Sequence, residues 1–154
     1  MKREDIVHDR DQPLPAGLTG KIQTVTGLID PGTLGVCLTH EHLLIDLSEL
    51  LPPPNTATAR AFYARPVSAE AAAYCRNYSE YSTAHHRLDS VETAVEELGL
   101  FKQHGGQAMV DLTLSSIFRD PVGLRRISRA AGVHVVMGCG FYVAATHPPA
   151  LCDW

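Results

Sequence analysis

The stretch LTHEHL at residues 38–43 sets His40 and His42 two positions apart, with Glu41 between them, directly after a short apolar run. Two neutral imidazoles on one backbone segment can share a divalent ion such as zinc, with further ligands from other strands. The run VCLTHEHL at 36–43, entered from Gly35, predicts a strand. Alternate side chains of a strand share a face, which would put Val36, Leu38, His40 and His42 on one side and Glu41 on the other. That side changes from apolar to imidazole where the strand should end, and parallel α/β folds build their sites at this carboxyl edge. The competing reading is chance, since the chain has eight histidines; the place of the pair at the end of the first strand of a βα series outweighs it. A helical zincin is excluded, because HExxH would need a histidine where Leu44 stands. For Glu41 the expected role is a salt bridge or a cap under the helices.

Other polar residues offer less. His85 and His86 lie in a polar approach to a helix and are expected to be solvated. His104 falls in the last turn of a helix, where it complements the dipole. His134 alternates out of a buried strand and reads as a satisfied histidine. His147, in ATHPP, follows the third strand on the same edge as the histidine pair, as a rim residue or a turn element beside Pro148. Asp111, in MVDLT, either reaches the site or bonds neighbouring backbone, and the second role is favoured. Phe141 and Tyr142 either wall a pocket or simply pack. Cys139 has no evident base beside it, Gly138-Cys139-Gly140 lacks the third glycine of a dinucleotide loop, and no G-x-S-x-G elbow occurs.

The elements that must position the pair follow from the rest of the chain. Residues 1–20 read as a flexible leader, broken by Pro13, Pro15, Gly17 and Gly20. KIQTVTG at 21–27 is strand-like, and Asp30-Pro31-Gly32 signals a turn, so residues 21–35 predict a small hairpin. Residues 51–85 open with LPPPNT, which excludes helix and central strand, and predict a long loop with a short helix at 68–75. DSVETAVEELGLFKQHGG predicts a helix capped by Asp89 or Ser90, with apolar positions Val91, Val95, Leu98 and Phe101, stopped at Gly105-Gly106. QAMVDLT at 107–113 predicts a buried strand. A helix follows with Asp120 as N-cap and Pro121 at its first position, ending at Gly132, then a strand at 133–138. The order strand, helix, strand, helix, strand argues an α/β fold with a parallel sheet and right-handed crossovers.

Composition narrows the partners. With 45% hydrophobic and 19% charged residues the chain suits one globular domain. A net charge of −4 and the lack of a basic stripe give no reason to expect nucleic acid, and Arg125, Arg126 and Arg129 read as a solvated helix face. Four cysteines without a Cys-x-x-Cys pair suggest free thiols in a reducing compartment. No signal-peptide core and no apolar run of about 20 residues is present, so a cytoplasmic protein with no membrane partner is expected.

Taken together, TVTGLIDPGTLGVCLTHEHLLID, VDLT and SRAAGVHVVMGCGFYVAATHP, in this order over about residues 21–149, resemble the phosphotriesterase-like family of the amidohydrolase superfamily. The GFYV…THP wording is closer to phosphotriesterase-related proteins than to dedicated organophosphate hydrolases. The resemblance implies a (β/α)8 TIM barrel whose first strand supplies two metal ligands, here His40 and His42. It further implies a binuclear centre, usually zinc, whose bridging hydroxide attacks an ester, lactone or phosphoester. A bridging carboxylate or carboxylated lysine, two later histidines and a late aspartate complete the family's centre.

A whole barrel of this kind takes about 250 residues. Residues 21–154 provide about three βα strands and two helices after the hairpin, so the expectation is the N-terminal portion of a metal-dependent hydrolase barrel. The later ligands have no positions to occupy here. An inactive truncated remnant, or a fragment completed by a partner, another copy or a missing C-terminal half, is the alternative.

Overall fold

The computed structural model describes residues 17–51, 54–63, 65, 66, 68–77 and 82–151. The first sixteen residues of the expected leader, and Cys152, lie outside them. The centre of the fold is a parallel sheet in the order β3 (Cys37–Glu41), β6 (Ala108–Asp111), β7 (His134–Met137). Parallel neighbours require crossovers, and these carry α3 (Val91–Gln103) and α4 (Pro121–Ala131). The expected strand and helix order therefore holds.

Local signals set these helices. The Ser90 hydroxyl accepts from the Thr93 amide at 3.1 Å, which makes Ser90 the cap of α3, while Asp89 instead pairs with Arg87. In α4, Asp120 Oδ1 accepts from the Val122 and Gly123 amides at 3.0 and 2.9 Å. Gly132 closes that helix at φ 64°, a left-handed position that glycine takes without steric cost. Asp120→Ala is expected to lower stability by about 1–2 kcal/mol in urea denaturation, because both amides lose their acceptor; Asp120→Asn should retain most of the cap.

The two helices bury one face of the sheet. Ala94 and Leu98 of α3, Leu124 and Ile127 of α4, Met109 of β6, Val135 of β7, and Leu43, Leu44 and Val133 form a continuous core. Val91, Val95 and Phe101, the other apolar positions expected on α3, pack against it. β3 is an outer strand of the sheet. Val36 beside it is 61% exposed, and Leu38 within it 40%.

Three local features differ from the sequence reading. The hairpin is β1 (Ile22–Thr24) and β2 (Gly27–Ile29), so its turn lies at Val25-Thr26 and not at Asp30-Pro31-Gly32. The buried Thr24 side chain makes that turn: its hydroxyl donates to the Gly27 carbonyl at 2.7 Å and accepts from the Thr26 amide. Pro31–Thr33 forms a 3-10 turn after the hairpin. The hairpin docks on the main sheet through the Val25 amide, 2.9 Å from the Val135 carbonyl. Arg125, exposed on the solvated helix face that was expected, also donates to the Val25 carbonyl at 3.1 Å.

Second, residues 51–85 hold two helices, α1 (Ala57–Tyr63) and α2 (Ala69–Asn77), where one was expected. Both begin on a hydroxyl acceptor, Thr56 for the Ala59 amide and Ser68 for the Ala71 amide. Third, the ends of this excursion are tied together. β4 (Ile45–Asp46) pairs antiparallel with β5 (Arg87–Leu88), and the Leu47 amide reaches the His86 carbonyl. The long segment thus leaves and re-enters the fold at one place, without disturbing the step from β3 to α3.

Candidate metal centre

The histidine pair sits at the carboxyl end of β3, but not through simple alternation. Leu38 pairs with Met109 and Glu41 with Asp111, so three steps on β3 match two on β6. This is a bulge at Thr39-His40, and bulges re-aim side chains at sheet edges and beside sites. Met109 and Asp111, two apart, share a face, and register partners in a parallel ladder do too. Leu38 and Glu41 therefore lie on the helix face, and His40, next to Glu41, is turned to the other. The expected common face of Leu38 and His40 is thus corrected: the bulge separates them. Glu41 does lie on the side opposite His40, as the sequence reading had it. It makes no ion pair among the described residues.

His40 is exposed and His42 half-buried, with ring centroids 5.7 Å apart and planes at 77°. An ion about 2.1 Å from a ring nitrogen lies roughly 3.2 Å from that ring's centroid, so two rings on one zinc stand at most roughly 6.4 Å apart. The observed spacing lies within that limit. His42 Nδ1 is 2.9 Å from the hydroxyl of Thr113, which is fully buried. Only the Nε2 atom of His42 is then left for a ligand. Among the described residues no group of three or more His, Cys, Asp or Glu converges, so the donors fit two positions of a centre and not a complete one.

Asp111 takes the backbone role favoured from sequence. It is fully buried. Its carboxylate accepts from the Leu43 amide at 2.7 Å and from the Thr113 amide at 2.8 Å. Thr113 escaped the sequence reading. Its signal is its place two residues after Asp111 at the end of β6, which gains meaning only once the register sets Asp111 beside Glu41.

The remaining candidates stand apart from the pair. His147 Nε2 lies 3.0 Å from the Tyr142 carbonyl, and its ring meets Phe141, so it folds its own loop beside Pro148. His104 caps α3, its Nδ1 2.9 Å from the Leu100 carbonyl. His85 and His86 close a 3-10 turn before β5. Cys37, Cys75 and Cys139 are free thiols. A cavity of about 330 Å³ opens beside His42, between Leu43, Leu88 and the first turns of α3 at Ser90, Thr93 and Ala94. Phe141, Tyr142 and His147, whose wall or rim roles the sequence leaves open, are not among its walls.

Three parallel strands joined by crossover helices, with two imidazoles at the carboxyl edge of the first, are the architecture of successive βα units. The chain belongs to the phosphotriesterase family, whose model matches residues 20–152. It is similar to the N-acetyltaurine hydrolase of Homo sapiens, 38% identical over 135 residues, covering 86% of this chain and 38% of that protein. The N-acetyltaurine hydrolase of Mus musculus is 34% identical over 139 residues, with 88% and 39% covered. Among solved structures, a resiniferatoxin-binding protein from Rhodobacter sphaeroides superposes with a TM-score of 0.83 at 37% identity, covering 88% of this chain and 38% of that one. The organophosphorus hydrolase from Deinococcus radiodurans shares the fold, with a TM-score of 0.53 at 24% identity over 88% of this chain and 33% of its own. The chain thus spans about two-fifths of the length of the curated relatives it matches.

Proposed function

We propose that residues 21–154 are the N-terminal barrel segment of a metal-dependent hydrolase, in which His40 and His42 hold a divalent ion, zinc by preference. The carrying observation is the imidazole pair itself, with ring centroids 5.7 Å apart at the carboxyl end of β3, the edge where barrels place their chemistry. A bound ion of this kind supplies a Lewis acid and a water of lowered pKa. This chain's residues would seat the ion and wall one side of the substrate cavity. Two ions, as the family resemblance implies, need donors beyond those described.

The substrates are small acyl or phosphoryl compounds: esters, lactones, phosphoesters or, from the curated relatives, an N-acyl amino sulfonate. The three described free thiols are in keeping with a reducing cytoplasm, and no described helix is long and apolar enough to cross a membrane. The second reading is a catalytically inactive or partner-completed fragment.

The two readings separate in one experiment on the purified chain. Bound zinc is measured by elemental analysis after dialysis, and turnover of N-acetyltaurine, a lactone and an aryl ester is followed with and without chelator. Chelator-sensitive hydrolysis establishes the enzyme. Zinc without turnover establishes a half-site that needs completion, and neither establishes the remnant.

A further inference from the structure

We infer that Thr113 is the positioning residue that fixes the His42 ring, and that Asp111 holds both ends of that arrangement in place. This rests on the reading of His42 as a metal ligand, and goes beyond it by assigning work to residues that touch no ion. The Asp111 carboxylate spans two strands' ends: one oxygen takes the amide of Leu43, the residue after His42, and the other takes the amide of Thr113. A single buried side chain therefore sets the backbone that carries the imidazole against the backbone that carries its partner hydroxyl. The hydroxyl that meets Nδ1 at 2.9 Å belongs to a fully buried threonine, beside a half-buried His42. For Nε2 to offer a lone pair to an ion, Nδ1 must carry the proton and Thr113 Oγ1 must accept it. Such outer partners set ring tautomer and orientation, and their removal costs about 10–100-fold in metal affinity. His40 has no comparable support among the described hydrogen bonds, so the clamp makes His42 the pre-set member of the pair.

The test is Thr113→Val, which keeps the buried shape and removes the hydroxyl, with Thr113→Ser as the rescue. Nitrogen-15 NMR of the imidazoles, on the metal-free full chain at a pH where His42 is neutral, reads the tautomer directly. Wild type and Thr113→Ser should show the Nδ1–H form of His42, the one that a free imidazole side chain disfavours. Thr113→Val should revert towards the Nε2–H form while the amide spectrum stays folded, and should bind zinc about 10–100-fold more weakly. An Nε2–H tautomer in the wild type, or a tautomer and zinc affinity unchanged in folded Thr113→Val, overturns the inference. Should the wild type show Nδ1–H but bind no zinc, the clamp stands and the metal reading fails. A Thr113→Val chain that does not fold transfers the decision to the wild-type and Thr113→Ser tautomers.

Discussion

Asp111→Ala is expected to bring the protein to the edge of unfolding, with a loss of about 3–5 kcal/mol. Hydrogen bonds to charged groups contribute about 1.5–3 kcal/mol each, and two are lost together. The amides of Leu43 and Thr113 would both be left without an acceptor in a place from which water is excluded. Small domains hold only about 5–15 kcal/mol in total, so the loss is a large share of the whole. Asp111→Asn gives a graded control. Asparagine keeps one acceptor oxygen and sets a second donor against an amide, so it should cost about half as much or somewhat more. Urea denaturation followed by circular dichroism measures both. A loss below about 1 kcal/mol for the alanine variant would show that neither contact supports the fold.

Replacing the histidines separates site from scaffold. His40→Ala is expected to leave stability nearly unchanged, because the ring is exposed and has no hydrogen bond among those described. Its zinc affinity should fall by more than the ~10–100-fold that loss of an outer partner costs, since a direct donor is removed. His42→Ala should lose zinc equally and also cost about 1–3 kcal/mol, because it strands the buried Thr113 hydroxyl. The double variant should bind no stoichiometric zinc in calorimetric titration. Wild-type affinity in the double variant would remove both residues from the ligand set. A loss confined to His42 would instead assign His40 to solvent.

Much of this architecture was legible because its signals are local. The caps Ser90 and Asp120, the proline after Asp120, the stop at Gly132 and the apolar spacing Val91, Val95, Leu98, Phe101 each act within a turn or two of helix. Short apolar runs between helices then leave little choice but a parallel sheet. The two extra features of the 45–88 excursion were less legible. A two-residue ladder carries almost no pattern of its own, and β4 and β5 find each other across about forty residues only in the folded chain.

The sequence by itself determined the residue types at the site: two imidazoles spaced for one ion, at the end of the first strand of a βα series. It also supplied Asp111 and the reason to expect a backbone role for it. Tertiary structure decided where the His40 imidazole faces. Period-two alternation would have grouped Leu38 with His40, and the extra residue between Leu38 and Glu41, visible only against β6, parts them. It decided too that Thr113, 71 positions away, meets His42. The physical reason is the same in both cases. Register between strands is a long-range property, set by which backbone groups bond across the sheet, and no short stretch of sequence encodes it.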